Sequence, residues 1–147
     1  RRWITTTLAV VLVILHVGTP SLTLALPGDG KVVAGQATIQ QSTPTSLSIR
    51  QATDKAILNW NSFSIAANEA VRFYQPSISS IALNRVTGID PSVILGQLQA
   101  NGRLFLVNPN GILFGAGAQI NVESRFLLVN QGWFEQIGFN LDVVFNA

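Results

Sequence analysis

Short runs of alternating or wholly apolar residues, broken every few positions by Gly, Asn, Pro or Ser, dominate the chain from residue 26 onward. Alternation of this kind predicts β-strands, and no stretch there carries the 3.6-residue period of an amphipathic helix. Lys31 to Ile39 reads as two strands bent at Gly35, and Ser46-Leu47-Ser48-Ile49 alternates. Ala56 to Ile65 and Ala70 to Tyr74 are rich in β-forming residues, and Gln75-Pro76-Ser77 closes the second. In Ser80 to Val86 the alternation places Ile81 and Leu83 inward, with Asn84 and Arg85 turned outward. Arg103 to Val107, Ile112 to Phe114 and Gln119 to Val122 are shorter strands. Pro91 to Leu98 is the one stretch read as a short helical turn, with Pro91 at its first position.

The punctuation has a physical basis. Gly and Asn accept positive φ, and Pro presets φ at a corner. Such residues occupy 87–91, 101–102, 108–111 and 115–117. Strands this short are poor hairpin arms but suit a parallel solenoid, in which each coil stacks on the last. Leu104, Leu106, Ile112, Phe114, Ile120 and Val122 would then point inward as ladders, and corner Asn residues would bond between coils. A β-sandwich or barrel with ordinary hairpin loops remains open on pattern alone.

The first 25 residues differ in kind. Arg1 and Arg2 precede a mostly apolar run from Ile4 to Val17, which Gly18 and Pro20 end. Thr23-Leu24-Ala25 supplies small residues for cleavage after Ala25. This order predicts a signal peptide over 1–25 and export through the inner membrane. The alternative is a membrane anchor, for which the run is short of the about 20 apolar residues a span requires. The sequence holds no Met, so a start upstream of Arg1 is expected.

Composition narrows function by exclusion. Only 11% of residues are charged, and residues 26–147 hold seven Lys/Arg against seven Asp/Glu, so no basic nucleic-acid footprint exists. The chain has no Cys, hence no disulfide or thiolate site, and its one His, His16, lies in the leader. The acids Asp29, Asp54, Glu69, Asp90, Glu123, Glu135 and Asp142 are scattered singly. No catalytic residue, metal site or cofactor is therefore expected, and the chain reads as a non-enzyme.

Five blocks then appear in order: Leu26-Pro27-Gly28-Asp29-Gly30-Lys31-Val32-Val33-Ala34-Gly35, Asn59-Trp60-Asn61-Ser62-Phe63-Ser64-Ile65, Val71-Arg72-Phe73-Tyr74-Gln75-Pro76-Ser77, Asn84-Arg85-Val86-Thr87-Gly88 and the stretch from Asn101 to Gly115. The last contains Asn108-Pro109-Asn110-Gly111. Together, over about Leu26 to Val122, they resemble the secretion (TPS) domain of two-partner secretion exoproteins, also called the filamentous haemagglutinin N-terminal domain. The resemblance implies an all-β fold, a right-handed parallel β-helix preceded here by a signal-peptide helix. It implies recognition in the periplasm by an outer-membrane Omp85-type transporter with POTRA domains, and passage to the cell surface. Asn84, Arg85, Gly88, Asn108, Pro109, Asn110 and Gly111 are the candidate recognition residues, with turn formation alone as the competing role. For Arg85 the competing role is a solvated or locally paired arginine, and for Trp60, Phe63 and Phe73 it is core packing.

Residues 123–147 depart from the pattern, and 131–139 are apolar and aromatic without solenoid spacing. The expectation is a secretion domain over 26–122 followed by a divergent tail that is truncated or frameshifted. A solenoid stopped early exposes its apolar end unless something, such as this tail, caps it. Two other functions stay open: a surface adhesin in its own right, and a non-functional gene fragment. Glycans of host or neighbouring cells are expected as partners of a passenger that is largely missing.

Overall fold

The computed structural model describes residues 26–129, and the leader, its helix and the tail beyond Val129 lie outside them. Twelve strands are present and no helix occurs among the described residues: β1 (Lys31–Ala34), β2 (Ala37–Thr43), β3 (Ser46–Gln51), β4 (Lys55–Trp60), β5 (Ala70–Tyr74), β6 (Ile81–Val86), β7 (Ser92–Ile94), β8 (Gln97–Ala100), β9 (Arg103–Val107), β10 (Ile112–Phe114), β11 (Gln119–Val122) and β12 (Arg125–Val129). They wind as a parallel β-solenoid of about four coils with three faces. One face is β1-β4-β6-β9-β12, the second β2-β3-β5-β8-β11, and the third β7-β10, extended by a bridge from Ile65 to Ile94.

Register shows the repeat. Arg103 stacks on Ile81 and Arg125 on Arg103, so these coils take 22 residues each. Alternation within each strand feeds one set of side chains into the stack. In β4, Ala56, Leu58 and Trp60 are buried while Lys55, Ile57 and Asn59 are half-buried. Leu47, Ile49, Val71, Phe73, Leu98, Leu104 and Leu106 join them in one core, with Phe63 set edge-on to Trp60 at 5.6 Å between ring centres. Trp60, Phe63 and Phe73 are thus core aromatics.

The start of the solenoid is sealed by its own chain. β1 lies antiparallel on β4 and β2 antiparallel on β3, so residues 31–43 cover the edges of the first coil on two faces. Covering an edge removes a row of unpaired backbone groups from solvent. Gly35 turns between the two strands at φ 71°, where a Cβ would meet the Lys55 carbonyl oxygen at 2.1 Å. Leu26, Val32, Ala37 and Ile39 pack against the core from this cap.

Three expectations change. Pro91 to Leu98 is not helical: it forms β7 and β8 around a corner at Leu95-Gly96. Both corner amides donate to the Ile65 carbonyl, so pairing with the preceding coil overrides the local preference for a helical turn. The phase of β6 is inverted, because Ala82 and Asn84 face the core while Ile81 and Leu83 face the other way. Apolar side chains stand on both sides of this strand, so alternation could not choose its inward face. Ile120 stacks on the buried Leu98 but is itself 36% exposed, since no described strand lies beyond β11. β12, which follows Val122, pairs along its whole length with β9.

Candidate functional site

The motif residues converge on the corner that follows the β1-β4-β6-β9-β12 face. β6 ends at Val86, and Thr87 to Pro91 lead into β7; β9 ends at Val107, and Asn108 to Gly111 lead into β10. These corners stack because their flanking strands do, with Ile112 paired to Ser92 and Phe114 to Ile94.

Asn108 is the buried hub. Its Nδ2 donates to the Asp90 carbonyl at 3.0 Å and to Ser92 Oγ at 2.9 Å. Its Oδ1 accepts from the Asn110 backbone N–H at 2.9 Å and from Asn110 Nδ2 at 3.1 Å. The side chain therefore closes its own turn and ties it to the coil before, which satisfies an amide that has no access to water. Asn110 is exposed, and its Nδ2 also donates to the Gly88 carbonyl at 2.8 Å. That bond joins the two motif blocks. Pro109 is exposed at the apex, and Gly111 adopts φ 106°, a region closed to side-chain-bearing residues.

Gly88 is required by proximity, because a Cβ there would lie 2.1 Å from the Asn61 carbonyl oxygen. Thr87 strengthens the same join, its backbone N–H and Oγ1 donating to the Trp60 carbonyl at 2.8 and 3.1 Å. Around these bonds the corner presents Ile89, 88% exposed, with Asp90, Pro91, Pro109 and Asn110. An apolar side chain this open beside rigid polar turns is the chemistry of a contact surface.

The remaining two candidates separate. Arg85 is half-buried and partnered, stacked between Asn59 and Val107 on the side of its strand away from the core. Asn84 belongs to the core: it is fully buried, its Oδ1 accepts from Trp60 Nε1 at 2.8 Å, and its Nδ2 donates to the Phe105 carbonyl at 3.3 Å. It holds the stack together beneath the corner and offers no surface for contact.

A second set of amides escaped the sequence reading. Gln75 Nε2 donates to the carbonyls of Ser80 and Arg103, both at 3.2 Å, and to Gln51 Oε1 at 3.3 Å, while its Oε1 accepts from the Gly102 N–H. Asn101 bonds both backbone groups of Gln75, at 2.7 and 2.8 Å. The ladder between coils is thus built from glutamines as well as asparagines. The available signal was their position beside Pro76 and Gly102 at turn clusters. On the outer side of the second face, Arg72, Tyr74, Gln99, Asn121 and Glu123 border a shallow cavity of about 300 Å³, with the Arg50 guanidinium 4.6 Å from the Tyr74 ring centre.

Comparison with known proteins bears on this arrangement. A family model described as the TPS secretion domain matches residues 25–142, beyond the Val122 at which motif likeness ended. A heme/hemopexin-binding protein of Haemophilus influenzae is 44% identical over 96 residues, covering 65% of this chain and 10% of its own length. A second protein of that name, from Haemophilus influenzae strain Rd, is 43% identical over 101 residues, covering 69% and 11%. The chain thus spans about a tenth of these relatives. The crystal structure of the HMW1 secretion domain from Haemophilus influenzae is similar with a TM-score of 0.64 and 40% identity, over 69% of this chain and 27% of that one.

Proposed function

The chain belongs to the TPS secretion-domain family, and from that premise we propose that its stacked corner is the address read by an outer-membrane transporter. The observation that carries this is the Asn110–Gly88 hydrogen bond, which locks two motif blocks into one rigid exposed feature. Preorganised surfaces bind with less ordering cost than mobile loops. The corner supplies Ile89 as an apolar contact and the turns of Pro91 and Pro109 as its frame. The reader we infer is of the Omp85 type, contacting the corner through its periplasmic POTRA domains after the leader is removed at Ala25. The module is read as non-catalytic, since its acids are dispersed and its sequence beyond residue 25 has no His or Cys. Binding activity like that named for the heme/hemopexin-binding relatives would belong to passenger sequence.

Export tests the reading. The chain is expressed with and without its cognate transporter, and with Ile89→Asp or Asn110→Ala. Expected are transporter-dependent appearance in the medium, and its loss in both variants with the purified variants still folded. Export that persists without the transporter would reject the proposal.

The Arg72–Tyr74 cavity favours a second reading, a surface adhesin contacting glycans, because an aromatic face among amides and a guanidinium suits a sugar ring. Glycan-array binding abolished by Tyr74→Ala would support it, and no binding at any glycan would dismiss it.

A further inference from the structure

Alternation on the second face turns Val71, Phe73, Leu98 and Ala100 into the core. It therefore turns Arg72, Tyr74 and Gln99 outward. Register sets Arg72 beside Gln99 and Gln99 beside Asn121, so one polar row crosses β5, β8 and β11. The middle strand of the three carries the shorter rise of side chains at this end. Arg72 and Tyr74 stand on one bank and Asn121 and Glu123 on the other, with Gln99 and Asn101 between them. The banks are two strand spacings, about 10 Å, apart. The trough they enclose holds about 300 Å³, the lower end of the range for small-ligand pockets.

Its parts are fixed before any ligand arrives. Asn101 spends both ends of its amide on the Gln75 backbone, at 2.7 and 2.8 Å, which pins the chain where β5 ends just after Tyr74. Arg50, the register partner of Tyr74 on the β3 side, lies over the ring at 4.6 Å from its centre. A cation on one face holds the ring in place and leaves its other face to the trough. Arg72 and Glu123 differ from these: among the described residues, neither side chain has a hydrogen-bond or ion-pair partner. The trough thus offers an uncommitted guanidinium on one bank, an uncommitted carboxylate on the other, amides between and an aromatic face beside them.

We propose that this trough binds an acidic saccharide, a pyranose bearing a carboxylate. The proposal rests on the reading of this cavity as a glycan contact and is independent of the corner. A guanidinium pairs with a carboxylate through two parallel hydrogen bonds, which assigns the acid group to Arg72. Glu123 accepts from sugar hydroxyls on the opposite side, Gln99 and Asn121 bond hydroxyls in either sense, and the C–H face of the ring packs on Tyr74. Two other ligand classes fit less well. The backbone groups of β5 and β8 are already paired within the sheet, so an extended peptide finds no edge to join here. A continuous polyanion such as nucleic acid meets the Glu123 charge.

The test titrates the isotopically labelled whole chain, read by NMR, with trimers of glucuronate, galacturonate and mannuronate, with the carboxyl-methyl ester of each, and with acetate. Expected are shifts at amides of residues 72–74, 99–101 and 121–123 with at least one acidic trimer, and affinity at least about 10-fold weaker for its ester, since a charged hydrogen bond is lost. Arg72→Gln should abolish that preference, Tyr74→Ala should remove binding of both forms, and Tyr74→Phe should retain it. Both replaced side chains are exposed, and amide spectra report whether each variant is folded. Equal binding of acid and ester would overturn the acidic class while leaving a glycan contact in place. Binding by no trimer would overturn both readings. Acetate binding as tightly as the trimers would overturn a saccharide site, and a preference surviving Arg72→Gln would overturn the assignment of Arg72.

Discussion

Replacing Asn84 by alanine should cost this fold a large share of its stability. The side chain is fully buried and makes two bonds, accepting from the Trp60 indole at 2.8 Å and donating to the Phe105 carbonyl at 3.3 Å. Alanine leaves both partners in a dry interior, at about 1–3 kcal/mol for each buried group left unpaired. The sum is about 2–6 kcal/mol, a large share of the about 5–15 kcal/mol that holds a typical domain together. At roughly 4–8 °C per kcal/mol for a domain near this size, a loss of about 3 kcal/mol lowers Tm by about 12–24 °C. Urea and thermal denaturation of the purified chain measure the loss. A double-mutant cycle with Trp60→Phe isolates the indole bond, since phenylalanine has no N–H to strand. A coupling of about 1–3 kcal/mol is expected. An Asn84→Ala loss below about 0.5 kcal/mol, the range of an ordinary surface substitution, or a coupling near zero would refute the assignment of Asn84 as an internal tie.

Other changes separate sterics, backbone strain and recognition. Gly88→Ala forces a Cβ to within 2.1 Å of the Asn61 carbonyl oxygen, and should destabilise by about 1–3 kcal/mol through displaced backbone, read as a fall in the urea midpoint. Gly111→Ala meets no neighbour within 4 Å, so its cost of about 1–3 kcal/mol comes from φ alone, and D-alanine introduced there by semisynthesis should recover most of it. Gln75→Ala removes the side chain that bonds the Ser80 and Arg103 carbonyls and the Gly102 N–H, and should accelerate hydrogen exchange in β8 and β9 well before global unfolding. Asn110→Ala removes one exposed bond to Gly88, at about 0.5–1.5 kcal/mol, so a severe export defect with a near-normal Tm would mark recognition and not folding.

The sequence by itself determined where this chain extends and where it bends. β5, β9, β10 and β11 fall where alternation and turn residues placed them, because strand propensity and corner chemistry act within a few residues. It also carried the family likeness, through blocks whose order survives without any knowledge of their contacts. Which side of β6 is inward was decided only in three dimensions. Ile81 and Leu83 are as apolar as a core demands, yet they face away from it, because a second buried face exists on the far side of the sheet. Asn84 could take the inward place once the Trp60 indole, 24 residues away, supplied a donor. The stretch at Pro91 to Leu98 became two strands because the coil beneath offered the Ile65 carbonyl. The pairing of β1 with β4, and the meeting of Asn110 with Gly88, likewise depend on coil height, which sets partners 22 residues or more apart. Local propensity is summed along the chain, whereas a solenoid's contacts are made between coils. The corner motifs were therefore legible as separate turns, and only their stacking joined them into one site.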